Sequence, residues 1–198
     1  MDPAVVDQLR DIVSPAHVLV EPDAKVSYEI DWTGRFRGAT PAVVRPGSVQ
    51  EVAALVELCR REQIALVPQG GNTGMVGGGV PLAGELVVSL RRLDTVAEVD
   101  EVSQQVAAGA GATVESVQRA AAAVGLRYAV DFGARGSATV GGSIATNAGG
   151  INLIRFGGTR EQLVGIEAVI GTGDVVRRMS GLVKDNTGYH LPSLLCGS

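Results

Sequence analysis

Residues 42–79 read AVVRPGSVQEVAALVELCRREQIALVPQGGNTGMVGGG, and this stretch decides the fold. Ala42–Val44 is short, apolar and largely β-branched, as a buried strand would be. Pro46-Gly47 interrupts it, and Ser48 with Glu51 forms a capping box that starts a helix over Val49–Glu62. Val52, Leu55, Val56 and Cys59 fall at i, i+3, i+4 and i+7, so one side of that helix should be buried. Ile64–Val67 reads as a second short strand that Pro68 stops. The strand–helix–strand unit opens directly into PQGGNTGMVGGG (68–79), where six of twelve residues are glycine. Glycine at that density permits the positive φ angles that turn consecutive backbone N–H groups inward, and it removes Cβ atoms where an oxygen must come close. Gly70, Gly71 and Gly74 are expected to give that freedom, while Asn72 and Thr73 add side-chain donors. The loop lacks the GK[ST] ending of a nucleoside-triphosphate loop and the GxGxxG of a dinucleotide fold. The competing reading is a glycine-rich surface turn.

Outward from this unit, residues 3–13 form an amphipathic helical pattern with Val5, Val6, Leu9, Ile12 and Val13 on one side, and 14–47 is irregular and punctuated by proline. Leu86–Leu90 reads as a buried strand, with Val96–Val99 and Gln105–Ala107 as two further short strands. Thr113 is placed to cap a helix that runs to Val124, with Gly125 as its stop. Val164–Ile170 and Val175–Met179 flank Gly171-Thr172-Gly173-Asp174 as a hairpin. Strands and helices mix without strict alternation, so the class is α+β, with two lobes expected to divide near residue 94.

Composition narrows the partners. Of 198 residues 45% are hydrophobic and 19% charged, an ordinary folded balance. A formal net charge of −4 argues against nucleic acid, whose binders carry basic surfaces. No apolar run reaches the length that spans a bilayer, and the acidic start MDPAVVDQLRDIV has no basic signal-peptide region. Cys59 and Cys196 form no CxxC pair, and a reducing cytoplasm is expected. His17 and His190 sit in no HxH or HxxxH spacing, so both read as surface or packing residues and no metal site is expected.

A second glycine-rich stretch, DFGARGSATVGGSIATNAGGINLIRFGG, spans 131–158. Its small residues let backbone pack closely against a flat ligand, or equally let helix and strand approach each other with no ligand at all. Ser137, Thr139, Thr146 and Asn147 offer hydrogen-bonding groups along it. Two such stretches in one chain favour a two-point clamp on an extended ligand.

The pair PQGGNTG (68–74) and GSATVGGSIATNAGG (136–150) resembles the FAD-binding domain of the vanillyl-alcohol-oxidase, or PCMH-type, flavoproteins. The branch most similar is that of the glycolate oxidase subunit and the D-lactate and D-2-hydroxyglutarate dehydrogenases. DWTGRFRG (31–38), AVVRPGSVQEV (42–52), RFGGTREQLVGIEAV (155–169) and KDNTGYHL (184–191) extend the likeness over essentially the whole chain. The resemblance implies that Gln69, Gly70, Gly71, Asn72, Thr73 and Gly74 hold the FAD pyrophosphate through their backbone, with Met75 and Gly136 close by. It implies that Ser137, Thr139, Gly142, Thr146, Asn147 and Gly150 line the other side of the cofactor. Members with covalent flavin often carry a histidine in the first loop, where this chain has Asn72, so FAD is expected to be non-covalent. The implied reaction is oxidation of a small D-2-hydroxy acid by hydride transfer to flavin N5, with an electron-acceptor protein as a further partner. The family's substrate half, with its catalytic histidines and metal ligands, is expected to lie beyond Ser198, which leaves the catalytic residues unassigned. The alternatives are a non-catalytic FAD-binding module or subunit, and a flavoprotein for another alcohol such as a sugar lactone.

Overall fold

The computed structural model describes residues 1–197. Asp2 begins helix α1 (Pro3–Val13) by accepting a hydrogen bond from the Ala4 N–H at 2.9 Å, with Pro3 in the first turn where its missing N–H costs nothing. Its Val5, Leu9 and Val13 are buried. Strand β1 (Val18–Leu19), the single turn α2 (Pro22–Lys25) and strand β2 (Val43–Val44) follow. The Ser48 hydroxyl then accepts from the Glu51 N–H at 3.1 Å and starts α3 (Val49–Arg61). The returning Glu51 carboxylate takes the N–H of Gly47 at 2.7 Å rather than that of Ser48, a one-residue variant of the expected capping box. The buried face of α3 is Leu55, Leu58 and Cys59, so the stripe is centred one position away from the expected one.

Strands β3 (Leu66–Gln69) and β4 (Leu86–Ser89) complete a sheet of order β1-β2-β4-β3. β4 runs parallel to both of its neighbours, and β1 is antiparallel to β2. The strand–helix–strand unit is real, but β4 slots between its two strands. Pro68 does not stop β3. It sits in register with Val88 on an edge strand, where the missing N–H removes no ladder bond on the open side. Val18, Val44, Leu86 and Val88 share the sheet face that packs with Leu9, Leu55, Leu58 and Cys59 into one core. Truncating any of these fully buried leucines to alanine costs about 2–5 kcal/mol. The alternation of side chains puts Gln69 and Ser89 on the opposite face, away from the helices.

The chain divides into two compact units, Met1–Leu93 with Val169–Val175, and Asp94–Ala168 with Val176–Ser198. In the second, the two strands expected over 96–107 are reduced to isolated bridges, Val96 with Ala108 and Asp100 with Gln105. Asp100 explains the break: its carboxylate accepts from the N–H groups of Val102 and Ser103 and curls the chain back on itself. Helix α4 (Val114–Ala123) is capped by Thr113, whose hydroxyl accepts from the Ser116 N–H at 3.0 Å, and Gly125 ends it at φ +73°. Helix α5 (Val140–Thr146) and the short turns α6 (Leu153–Phe156) and α7 (Thr159–Gln162) occupy the second glycine-rich stretch and its exit. Strands β5 (Ile166–Val169) and β6 (Val175–Arg178) form the expected hairpin, closed by the Ile170 N–H to Asp174 carbonyl bond of 3.0 Å. The short helix α8 (Leu191–Leu195) follows. The α+β class is as expected. Among the described residues no helix is long and apolar enough to cross a membrane.

Candidate functional site

β3 and β4 end side by side, with Gln69 opposite Ser89, so the loops after them leave the same end of parallel strands. The loop 70–79 that follows β3 is tethered from several directions. The buried Gln69 amide donates to the carbonyls of Tyr28 (2.9 Å) and Gly79 (2.7 Å), drawing the loop's far end back to its start. The Asn72 amide donates to the Ile30 carbonyl at 2.8 Å. Arg91, two residues beyond β4, donates through Nε to the Gly70 carbonyl (3.0 Å) and through Nη2 to the Gly71 carbonyl (3.3 Å). Gly77, at φ +74°, lies under Phe36, where an added Cβ would stand 2.6 Å from the ring.

These tethers are made by side chains and carbonyls. Among the described residues, none of the backbone N–H groups from Gly71 to Gly79 reaches a protein acceptor. A run of unpaired donors on a loop held from behind suits a ligand with several acceptor oxygens. The handedness differs from expectation. Gly70, Gly71 and Gly74 do not adopt positive φ; Asn72 does, at 55°. Asparagine tolerates this region, and here the Ile30 carbonyl holds its side chain in place. Gly74 and Gly78 meet no protein atom within 4 Å of an added Cβ, so the protein's own packing does not require glycine there. Thr73 is half-buried, and Met75 is exposed. Gln69 contributes its side chain to loop closure, and its Oε1 is buried without a partner.

The second stretch uses more of its groups internally. A turn holds 132–138 together through Arg135 N–H to Phe132 carbonyl (3.1 Å) and Ser137 N–H to Ala134 carbonyl (2.9 Å). Thr139 is buried and caps α5, its hydroxyl accepting from the Gly142 N–H at 3.3 Å. The Thr146 hydroxyl donates to the Gly142 carbonyl at 2.9 Å. Asn147 is the left-handed C-cap of α5 at φ 47°, and its Oδ1 accepts from the Arg160 N–H at 2.9 Å. Gly150, at φ +86°, lies so close to Asp131 that an added Cβ would be 1.9 Å from its carbonyl oxygen. Thr139, Thr146, Asn147 and Gly150 thus each have a role in the fold itself. Gly136, Ser137 and Gly142 are exposed, with the Ser137 N–H held by Ala134 and Gly142 bonded at both its N–H and its carbonyl by Thr139 and Thr146. The first set, Gln69–Met75, is brought together in the first unit, and the second set, Gly136–Gly150, in the second.

Sequence reasoning missed Arg91. The signal that could have found it is topological: residues just after neighbouring parallel strands share the carboxyl end of the sheet, where α/β proteins place ligands. The histidines do not enter either loop. His17 Nδ1 is 3.4 Å from Arg45 Nη2, and its pKa is held below the usual value by loss of hydration and by the Arg92 and Arg45 charges. His190 Nδ1 accepts from the Ser193 N–H at 3.2 Å and caps α8. No group of three or more potential metal ligands occurs among the described residues.

Residues 40–178 match a protein family described as FAD binding domain. The chain is 42% identical over 197 residues to the D-2-hydroxyglutarate dehydrogenase of Xanthomonas citri pv. viticola, covering 100% of this chain and 42% of that protein. It is 37% identical to the mitochondrial D-2-hydroxyglutarate dehydrogenase of Bos taurus, over 94% of this chain and 34% of that protein. A putative mitochondrial D-lactate dehydrogenase of Schizosaccharomyces pombe is 36% identical, over 100% and 36%. The chain therefore spans about two fifths or less of the length of these relatives. Among solved structures, alkyldihydroxyacetonephosphate synthase superposes with a TM-score of 0.83 at 20% identity, over 100% of this chain and 36% of that one. p-Cresol methylhydroxylase with substrate bound gives 0.73 at 22% identity, over 93% and 36%. At those identities the likeness is one of fold.

Proposed function

Because this chain belongs to the FAD-binding domain family of PCMH type, we propose that it is the FAD-holding part of a dehydrogenase for a small D-2-hydroxy acid. The observation that carries the reading is the run of unpaired N–H groups between Gly71 and Gly79, anchored from behind by Gln69, Asn72 and Arg91. A diphosphate offers many acceptor oxygens to such a run, and the open space at Gly74 and Gly78 leaves room for it. The residues present therefore fit the cofactor. The proposed holding set is the backbone of Gln69, Gly70, Gly71, Asn72, Thr73 and Gly74 with Met75 beside it, and Gly136, Ser137, Thr139, Gly142, Thr146, Asn147 and Gly150 in the second unit. In that second set the exposed Gly136 and Ser137 are proposed to make direct contact, and the other five shape the backbone that presents them.

When bound, the flavin supplies a two-electron acceptor for the hydrogen on the hydroxyl-bearing carbon. The chain's own contribution is to bind and orient. Asn72 has no nucleophile for a ring linkage and its amide is committed to Ile30, which supports non-covalent attachment. The substrate assignment rests on relatives named for D-2-hydroxyglutarate and D-lactate. We place the groups that hold the substrate carboxylate and take the hydroxyl proton in the portion of those relatives that this chain does not span. An electron-acceptor protein completes the cycle in this reading. The buried, unpaired Cys59 and Cys196 suit a reducing compartment. The cytoplasm is the proposed one, although relatives with mitochondrial names occur.

The test is a flavin-fluorescence titration. FAD should saturate at about one per chain, and acid precipitation should release all of it to the supernatant. Gly71→Val should weaken binding at least tenfold, because a branched side chain enters a half-buried loop whose carbonyl is already held. Yellow colour in the acid pellet would refute non-covalent attachment; equal affinities would refute the loop as the diphosphate site.

A further inference from the structure

The unpaired N–H groups of the first loop must be aimed by something. In a trans peptide the carbonyl of one residue and the N–H of the next point in opposite directions, and there is no cis peptide among the described residues. Anchoring the Gly70 oxygen therefore turns the Gly71 N–H away from the anchor, and anchoring the Gly71 oxygen does the same for Asn72. Both anchors are one side chain, the Arg91 guanidinium, at 3.0 Å and 3.3 Å. A planar guanidinium presents its donors in a rigid fork, so it fixes two successive peptide planes together; an ammonium cannot. A charged donor on the carbonyl also polarises each peptide and strengthens the N–H on its far side.

The geometry assigns Arg91 as a positioning residue for the cofactor's diphosphate, acting from the back of the loop through the Gly70 and Gly71 peptides. The inference rests on the cofactor reading above. Nothing in the sequence separates Arg91 from its neighbour Arg92, but the structure does. Arg92 donates to the Arg45 carbonyl at 2.7 Å and stands 3.9 Å from the Glu51 carboxylate. It makes no bond to the loop. Asn72 complements Arg91 by holding the left-handed residue from the side of Ile30.

The experiment compares wild type, Arg91→Met, Arg91→Lys and Arg92→Met as full chains. FAD and ADP are titrated at several salt concentrations, and the melting temperature of each apoprotein is recorded. Arg91→Met keeps the aliphatic stem of an exposed side chain, so its apoprotein should melt within about 2 °C of wild type, a shift worth less than about 1 kcal/mol. Its affinity for FAD and for ADP should fall by a similar factor, at least tenfold. Arg91→Lys, a point charge without the rigid fork, should recover part of the loss, and Arg92→Met should bind as wild type does. The slope of log affinity against log salt should be unchanged in Arg91→Met, since the guanidinium acts through neutral carbonyls rather than on phosphate. A slope flattened by removal of Arg91 would mean direct phosphate contact and would overturn the positioning role. Wild type that binds FAD while Arg91→Met binds it equally would overturn this inference alone. Wild type that takes up neither ligand would overturn the cofactor reading, and this inference with it.

Discussion

Gly150→Ala should destabilise the protein before any cofactor is added. Two costs are visible in the structure. Gly150 has φ +86°, where an L-residue with a Cβ pays about 1–2 kcal/mol. The added Cβ would also lie 1.9 Å from the Asp131 carbonyl oxygen, against a normal carbon–oxygen approach of roughly 3.3 Å, so backbone must move by roughly 1.4 Å. That oxygen accepts the Ile151 N–H at 2.8 Å, and the Asp131 carboxylate meets Arg135 at 3.3 Å and the Gln118 amide at 3.3 Å. Displacing it forfeits at least the Ile151 bond, about 1 kcal/mol. With strain left over, the total is about 3–5 kcal/mol, the range of a severe single substitution. For a chain of this size that corresponds to a melting temperature lower by roughly 10 °C. Gly84→Ala is the control: φ is +83°, yet nothing lies within 4 Å of the new Cβ, so only the strain of about 1 kcal/mol remains. Urea and thermal unfolding of the two apoproteins, followed by circular dichroism, measure the difference. Equal stabilities would refute the argument, because they would mean that the Asp131–Gly150 contact relaxes without cost.

Three further outcomes are expected. Asp100 is held below the usual carboxylate range by the Ser103 hydroxyl, then by the N–H groups of Ser103 and Val102, so it stabilises the fold above an ordinary carboxylate pKa of about 3.9. That contribution is lost as pH falls through the lowered folded value, so Asp100→Asn should unfold at lower urea than wild type at pH 7 and converge with it in acid; a constant difference would count against the assignment. Burial pushes the Cys59 thiol up to about 11, so at pH 8 it should resist a chromogenic thiol reagent until the chain is unfolded, and rapid labelling of the folded protein would contradict the packing of α3. Loaded with FAD and assayed with a dye acceptor on D-2-hydroxyglutarate, D-lactate and glycolate, this chain by itself should turn over far below about 1 per second, because one reactant of two is held; a rate near that figure would place the proton-accepting group within it.

The sequence by itself determined the local elements of this protein. Helices α1 and α3 could be read from apolar spacing, α3 also from its Ser48 cap, and α4 from Thr113 and Gly125 at its two ends, because those signals act over three or four residues. The β5–β6 hairpin was legible for the same reason, and the two glycine-rich stretches marked the candidate site by composition and by family likeness. Only the tertiary structure decided what those stretches meet. It placed β4 between β2 and β3 and thereby left Pro68 on an edge that tolerates it. It gave the left-handed turn of the first loop to Asn72 instead of to a glycine, because Ile30, 42 residues away in sequence, supplies the acceptor that holds it. It brought Arg91 behind Gly70 and Gly71, and it set Gly150 against Asp131. Each of these depends on chain segments closing on one another across long sequence separations, and no residue carries the identity of its distant partner in its own local pattern.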